Sequence, residues 1–284
     1  MSDPVSIGLV QIGAEPFEVE ANRELIDKSA ATAFDRGADI VILPEMIAHG
    51  YLADWKRLFP LAEPIDGPTV RSWSSLAADA GGYVVGGFCE RDGEALYNTA
   101  VAVGPDGLIL HYRKVHLFAE EKVAFRAGNL GFPVVPTRFG NIGVCVCYDL
   151  RFVEVVRLMA LRGADLICVP TAWLPGFDAA RWDEHGMCPQ AWGAVHQANL
   201  SQVFIACASQ AGRHGELDFL GSSCLADPYG KLAAGPLPGS DDAIEVVEVD
   251  IGATKRAQVR AELIAPRADR RTDVYGLWYE GERY

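Results

Sequence analysis

Short apolar runs alternate with amphipathic segments along most of the chain. The apolar runs are the length of strands and rich in Val and Ile, which is typical of buried β-strands. In chain order the predicted strands are Val5–Gln11, Ile40–Leu43, Tyr83–Cys89, Leu96–Val103, Leu108–Arg113, Ile142–Cys147, Leu166–Val169, Val203–Ser209, Gly221–Ala226 and Ala243–Asp250. Helical spacing predicts helices at Val19–Arg36, Thr69–Ala80, Val153–Arg162 and Pro189–Leu200.

This order of elements indicates the class of fold. Strands outnumber helices, and helices separate many of them, which favours an α/β layered fold over a β-barrel. Continuous apolar strands imply sheets that are covered on both faces. We expect one domain over residues 1–284, with a tail from about Ile264 that shows no clear element.

The composition narrows the classes of function. The net charge of −13 disfavours a nucleic-acid binder, which would need a basic surface. There is no apolar run of about 20 residues to suggest a membrane span and no signal-peptide pattern at the start. Seven cysteines without such a signal predict a reducing, cytoplasmic setting. Their spacing fits no zinc site, and we see neither a dinucleotide fingerprint nor a phosphate loop, so we expect no metal or cofactor.

Three predicted strands end beside a side chain that can take part in a reaction. Glu45 comes just after the second strand, Lys114 just after the fifth, and Cys147 closes the sixth. Sites in α/β sheets form at strand ends. Taken alone, each residue has an ordinary structural interpretation: an inert core thiol, a solvated acid or a surface cation.

Together the three residue types suit attack of a thiol on an amide. The reaction needs a base, a positive group for the developing negative charge, and an acid for the departing ammonia. Glu45 can be base and then acid, and Lys114 can supply the charge. We expect the helix after Cys147 to lower the pKa of its thiol. Cys145, on the same face of the strand but deeper, is interpreted as core packing.

Three segments around these residues, in this order, resemble the signature segments of the nitrilase superfamily of carbon–nitrogen hydrolases. They are Leu43–Glu45 followed by Gly50 and Tyr51, then Tyr112–Leu117, then Cys147–Phe152. Two further segments are similar to the family, Tyr97–Ala100 and Asp227–Gly230, and the likeness runs from Val5 to about Tyr275.

The resemblance implies roles for the candidate residues. Glu45 would be the general base, Lys114 the stabiliser of the tetrahedral intermediate and Cys147 the nucleophile, with the backbone N–H of Tyr148 in the oxyanion hole. Many family members carry a second glutamate shortly after the lysine. Glu121 is chosen over Glu120, because the run from Glu121 to Gly128 resembles the family's stretch.

The resemblance also implies a fold and an assembly. It predicts a four-layer α-β-β-α sandwich that pairs into a homodimer or a larger homo-oligomer. The helix after Cys147 and the tail at about 264–284 would join that contact. The segment Gln197–Ser201 departs from the family pattern, which puts the usual polar contacts of that helix end in doubt, and Pro170–Met187 looks individual to this chain.

The substrate is the least determined part of the prediction. Trp173 and Tyr51 are candidates for the pocket wall, each against an interpretation as plain packing. The hypotheses are an amidase for a small amide, an N-carbamoyl hydrolase in which Arg151 would bind a carboxylate, a nitrilase, or a non-catalytic binding protein. For Arg151 we favour a structural ion pair, and the sequence Cys-Tyr-Asp-Leu-Arg-Phe favours the amidase and carbamoylase branches over nitrilases.

Overall fold

The structure is a computed structural model that describes residues 4–176 and 180–284. The strands of this part of the chain are β1 Val5–Gln11, β2 Ile40–Ile42, β3 Tyr83–Asp92, β4 Ala95–Gly104, β5 Gly107–Arg113, β6 Val134–Thr137, β7 Gly140–Val144, β8 Leu166–Thr171, β9 Phe204–Ser209, β10 Ala211–His214, β11 Leu217–Leu220, β12 Cys224–Ala226, β13 Leu232–Ala234, β14 Ala243–Val249, β15 Trp278–Tyr279 and β16 Glu282–Arg283. The helices are α1 Val19–Asp35, α2 Trp55–Leu58, α3 Pro68–Ala80, α4 Glu121–Ala124, α5 Val153–Leu161, α6 Pro189–Ser201 and α7 Ala253–Ala257.

Two six-stranded sheets form the centre of the fold. The first has the order β14-β1-β2-β3-β4-β5 and the second β13-β12-β9-β8-β7-β6. Each has three parallel strands in its middle, β1 to β3 in the first and β7 to β9 in the second, with antiparallel strands outside them. The parallel strands of one sheet all end at the same edge, so the residues that follow them meet there.

Side chains that alternate between the two faces of each strand form the predicted layers. In β1, Ile7 and Leu9 face the core between the two sheets, whereas Val10 joins the separate apolar cluster under α1 and α3. The helices α5 and α6 cover the outer face of the second sheet. Both faces of the central strands are therefore buried, which is why they read as continuous apolar runs. The four-layer α-β-β-α sandwich expected from the sequence is the observed fold.

The elements differ from expectation at a few places. The strand predicted at Ile142–Cys147 ends at Val144, and Cys147 instead begins a 3₁₀ turn that runs to Arg151. The strand predicted from Gly221 begins only at Cys224. Sequence patterns missed β6, β13 and the hairpin of β10 and β11, whose short strands are partly exposed and carry little apolar signal.

Arg267 is one of the residues that hold the C-terminal tail on the sandwich. The guanidinium of Arg267 donates to the backbone carbonyls of Ala160, Ser201 and Gln202, at 2.6 to 3.1 Å. These carbonyls lie at the C-terminal ends of α5 and α6, where the last carbonyls of a helix have no partner in its regular ladder of hydrogen bonds. A cation there also complements the partial negative charge of both helix ends. The tail ends in the small hairpin of β15 and β16, which the sequence did not predict.

The Trp73 side chain packs α3 onto the first sheet. It is fully buried and packs edge-to-face on Phe88 of β3, with ring centroids 6.5 Å apart. Gly86 leaves room for the ring, because a Cβ there would lie 2.8 Å from it. We predict that Trp73→Ala lowers the free energy of unfolding by about 3–5 kcal/mol, as measured by urea denaturation. Leu76→Ala on the same helix removes a partly buried side chain and should cost clearly less; equal losses would contradict this packing.

Candidate active site

Glu45 lies where the edges of the two sheets meet. It follows β2 of the first sheet, and its backbone N–H donates to the carbonyl of Thr171, the last residue of β8 in the second sheet, at 3.2 Å. The side chain of Gln210, just beyond β9, donates to the carbonyl of Glu45 at 2.8 Å. Both backbone groups of Glu45 are thus held by the second sheet. Its side chain is fully buried.

Lys114 follows β5, and its side chain extends to the Glu45 carboxylate. Its backbone N–H donates to the carbonyl of Asn98 at 2.8 Å, which continues the pairing of β5 with β4. The Lys114 Nζ donates to Glu45 Oε1 at 2.6 Å and to Glu121 Oε1 at 2.9 Å. The ammonium is fully buried, and the two carboxylates beside it raise the pKa of Lys114 in spite of that burial. Lys114 is therefore a permanent positive charge in this site.

Glu121 is buried, unlike its exposed neighbour Glu120. It begins α4, and its Oε2 accepts the backbone N–H of Phe118 at 2.8 Å. Its Oε1 accepts the hydroxyl of Tyr51 at 2.8 Å in addition to Lys114. The structure thus brings four of the candidate residues predicted from the sequence, Glu45, Lys114, Glu121 and Tyr51, into one hydrogen-bonded group.

Asn98 completes this group, and sequence reasoning missed it. Its Nδ2 donates to Glu45 Oε1 at 2.7 Å and to Glu121 Oε1 at 3.0 Å. The signal was present, because Asn98 lies in the Tyr97–Ala100 segment that resembles the family. A strand residue gives no hint of its partners, however, until the neighbouring segments are folded against it.

Cys147 lies opposite, at the start of the 3₁₀ turn after β7. Its φ of 46° is in the left-handed region, which costs a non-glycine residue about 1–2 kcal/mol. Such strain persists only where the surroundings enforce it. Met46, the residue after Glu45, has a φ of 52° and is strained in the same way.

The buried carboxylate of Asp149 enforces the turn that carries Cys147. Its Oδ2 accepts the backbone N–H of Val146 at 3.0 Å and the hydroxyl of Tyr112 at 2.6 Å. Its Oδ1 accepts the backbone N–H and Nδ1 of His116, at 2.9 and 2.8 Å. Tyr112 and His116 lie in the segment that carries Lys114, so Asp149 ties the cysteine turn to it. Sequence reasoning assigned Asp149 no role.

The expectation of a low thiol pKa at Cys147 is wrong. Burial raises the pKa of the Cys147 thiol well above its ordinary value, and the charge of Glu45 adds to this. Lys114 and the backbone N–H of Ala172 act in the opposite direction but do not prevail. The helix that was expected to lower the pKa is α5, which begins only at Val153, and the 3₁₀ turn Cys147–Arg151 lies between it and the thiol. A thiol whose pKa is raised is a weak nucleophile unless a base takes its proton.

Glu45 has the properties of that base. Burial raises the pKa of Glu45 to about 7, against the opposing effect of Lys114. A carboxylate that titrates near neutral pH can both take and return a proton. Its Oε1 is occupied by Lys114 and Asn98, whereas its Oε2 is buried and has no hydrogen-bond partner among the described residues.

A small pocket opens onto Cys147, with a cavity volume of about 40 Å³. Its described lining residues are Tyr51, Phe118, Cys147, Tyr148, Leu150, Arg151, Ala172, Trp173, Leu174, Gln190 and Gly193. Trp173 is 2% exposed and packs in the core between the sheets. It also lines this pocket, so it is both a core residue and part of the pocket wall. Besides the thiol and the tyrosine hydroxyls, the polar side chains of the described wall are Arg151 and Gln190. Residues 177–179 of the individual segment Pro170–Met187 lie outside the described residues.

Two glycines let the reactive residues approach. A Cβ on Gly87 of β3 would lie 2.7 Å from the backbone nitrogen of Met46 and 2.9 Å from the Cα of Glu45. A Cβ on Gly128 would lie 1.9 Å from the carbonyl oxygen of Arg113, next to Lys114. Gly128 also donates its backbone N–H to the carbonyl of Lys114 at 2.8 Å. Neither contact leaves space for a side chain.

Comparison with known sequences gives a consistent result. A sequence model of the carbon–nitrogen hydrolases matches residues 6–259. A curated protein named nitrilase, from Pyrococcus abyssi, is 32% identical over 273 residues, which cover 95% of this chain and 99% of that protein. An omega-amidase from Xenopus tropicalis is 32% identical over 284 residues, with coverage of 95% and 96%.

Solved structures agree with the sequence comparison. An amidase from Nesterenkonia sp. AN1 superposes with a TM-score of 0.78 at 29% identity, covering 95% of this chain and 98% of its own. A double mutant of that amidase, solved in complex with acrylamide, superposes with a TM-score of 0.76 at 27% identity, covering 95% of both chains.

The close approach at Gly128 generates a prediction. Gly128→Ala places a methyl group against the backbone before Lys114 and should lower the free energy of unfolding by about 1–3 kcal/mol, measured by thermal or urea unfolding. Gly193→Ala is a matched control, because no described residue outside the helix backbone has an atom within 4 Å of its Cβ position and Gly193 is inside α6. That change should stabilise the protein by about 0.5–1 kcal/mol. Equal effects of the two substitutions would show that Gly128 is not under this constraint.

Proposed function

The chain belongs to the carbon–nitrogen hydrolase family and is an enzyme, and from this premise we propose that it hydrolyses a small amide through a thioester on Cys147. One observation carries the proposal: a protonated thiol lies beside a buried carboxylate, Glu45, whose pKa of about 7 suits proton transfer at neutral pH. The positively charged Lys114 ammonium contacts the same Glu45 carboxylate.

In the first half of the reaction, Glu45 Oε2 takes the proton of the Cys147 thiol as the sulfur attacks the amide carbon. The carbonyl oxygen becomes an oxyanion, which the Lys114 ammonium and the backbone N–H of Tyr148 stabilise. Collapse of this intermediate breaks the carbon–nitrogen bond. Glu45 returns the proton to the leaving nitrogen, and ammonia departs from a thioester.

In the second half, water attacks the thioester carbon while Glu45 takes one of its protons. The carbon–sulfur bond then breaks, the acid is released and Glu45 reprotonates Cys147. Glu121 contributes by holding Lys114 and by receiving the Tyr51 hydroxyl, so that the ammonium stays in place throughout. One water is consumed, and no redox partner or metal takes part in this scheme.

The pocket limits the substrate to a short acyl group. Tyr51, Tyr148 and Trp173 narrow the space beside the sulfur, and the cavity volume is about 40 Å³. Arg151 on the same wall favours a second candidate class, amides or N-carbamoyl compounds that carry a carboxylate at the far end of the acyl group. Omega-amidases are among the relatives, and so is a protein named nitrilase, so nitriles remain the third class to test.

The nucleophile and the base are tested together. Cys147→Ala should abolish ammonia release from a small-amide panel of acetamide, propionamide, ω-amides of dicarboxylates and N-carbamoyl amino acids. Glu45→Gln should lower the rate by at least about 100-fold, because the buried amide cannot move a proton. Intact-mass spectrometry of the wild-type protein with a slow amide should show the acyl adduct. Cys145→Ala, at a buried core cysteine, is the matched control for the loss of a thiol.

Either of two results would exclude this mechanism. Normal ammonia release from Cys147→Ala would remove the nucleophile, and near-full activity of Glu45→Gln would remove the base. If the wild-type protein neither hydrolyses nor is acylated by any compound of the panel, including nitriles, a binding role on the same fold is the remaining alternative.

We also propose that two chains pair through α5, α6 and the tail. On this face the apolar side chains of Val153, Leu200 and Tyr275 are 59%, 57% and 54% exposed. They line a groove with a volume of about 430 Å³. An apolar patch of this kind supports a protein contact.

None of the helices in the described part of the chain is long and apolar enough to cross a membrane. The seven cysteines are free thiols, which supports the proposed reducing, cytoplasmic setting.

The proposed dimer is tested by one charged substitution in the groove. Leu200→Glu should convert a dimer into monomers, since a carboxylate in an apolar contact loses its hydration without a partner. Light scattering after size exclusion measures the mass directly. Leu263→Glu, at a residue that is 90% exposed and does not line the groove, is the matched control. A wild-type protein that is monomeric at micromolar concentration would exclude the proposal.

A further inference from the structure

The Asn98 side chain occupies a specific place between two carboxylates. It projects from β4, is 1% exposed, and its Nδ2 donates one hydrogen to Glu45 and the other to Glu121. Lys114 Nζ makes the same two contacts. Two donors, one charged and one neutral, therefore bridge the same pair of Oε1 atoms.

The orientation of the Asn98 amide follows from its surroundings. In the opposite orientation, Oδ1 would face two carboxylate oxygens with no hydrogen between them. In the observed orientation, Oδ1 is buried and has no hydrogen-bond partner among the described residues. An unpaired buried carbonyl is unfavourable, and the two hydrogen bonds from Nδ2 to carboxylate oxygens offset that cost.

We propose that Asn98 is a positioning residue that makes Oε2 the proton-accepting oxygen of Glu45 and sets the pH at which Glu45 becomes ionised. With Lys114 and Asn98 both on Oε1, that oxygen has two strong donors and the carboxylate plane is fixed. Oε2 is left as the free acceptor of the carboxylate for the Cys147 proton. The inference rests on the proposed role of Glu45 as the base.

The charges around Glu45 explain why a neutral donor matters. The titratable groups that face it are Lys114 after β5, Glu121 on α4, Cys147 after β7 and Tyr51 in the loop after β2. Burial and Glu121 raise the pKa of Glu45, whereas Lys114 and the hydrogen bond from Asn98 lower it. Loss of the Asn98 donor leaves the ionised form less stabilised. Glu45 then holds its proton up to a higher pH.

The test measures alkylation of Cys147 by iodoacetamide as a function of pH, followed by intact-mass spectrometry. It requires no amide turnover, so it stays informative if the proposed substrate class is wrong. The other six cysteines are buried, and Cys147→Ala defines the background. In the wild-type protein, the rate should fall on the acidic side as Glu45 becomes protonated.

Asn98→Leu, of similar size but without the donor, should move the acidic limb of this profile upward by about one pH unit, the effect of one hydrogen bond to a charged group. Thr99→Val is the matched control on the same strand, since the Thr99 hydroxyl donates to Glu90 at 2.6 Å and not to Glu45. Its acidic limb should stay in place whatever its stability. Asn98→Ala is the second variant if Asn98→Leu does not fold.

The double mutant with Glu45→Gln separates a positioning role from a structural one. In that background no carboxylate remains at position 45, so removal of Asn98 should produce no further shift of the limb. A shift in the wild-type background that disappears with Glu45→Gln supports the inference. A limb that stays in place in both Asn98 variants, or a shift that persists without the Glu45 carboxylate, would overturn it. The absence of amide turnover in the wild-type protein, with the shift present, would instead refute only the proposed substrate class.

Discussion

The site depends on one buried charge shared by two carboxylates. Lys114 places its ammonium between Glu45 and Glu121, and all three side chains are excluded from water. Burying such charges is costly unless each finds a partner, and removing one partner from a buried pair typically costs about 3–5 kcal/mol. The surrounding structure is therefore constrained to bring β2, β5 and α4 together. The same burial raises the pKa of Glu45 into the range where it can exchange protons.

A second constraint connects this charged group to Cys147, the proposed nucleophile. The Glu45 backbone is held by residues at the ends of β8 and β9, and Asp149 ties the cysteine turn to Tyr112 and His116. These contacts cross from one sheet to the other. They offset the backbone strain at Cys147 and Met46, which a single isolated turn would relax. The Cys147 thiol is thus kept near Glu45, the carboxylate that we propose as its base, although burial raises the pKa of the thiol.

In the proposed mechanism, Cys147 differs from an active-site cysteine that is already a thiolate in the resting enzyme. An active-site cysteine near a helix end or a cation is often ionised at rest. Here burial and two carboxylates raise the pKa of the Cys147 thiol, so in the proposed mechanism its reactivity depends on transfer of the proton to Glu45. In that mechanism Asn98, Lys114 and Glu121 act on the transfer through the Glu45 carboxylate. The pocket above it, with Trp173, Tyr51 and Arg151 in its wall, bears on the acyl group.

The sequence by itself determined the class of fold and the family likeness, and it provided the candidates for the reactive residues. Apolar strands covered on both faces have a local signature, and Glu45, Lys114 and Cys147 lie in segments that can be read without a structure. Only the tertiary structure decided the protonation of the thiol, the free oxygen of Glu45, and the parts of Asn98 and Asp149. These properties arise from burial and from contacts between residues far apart in the chain, such as Asn98 with Glu45, and no local pattern encodes them.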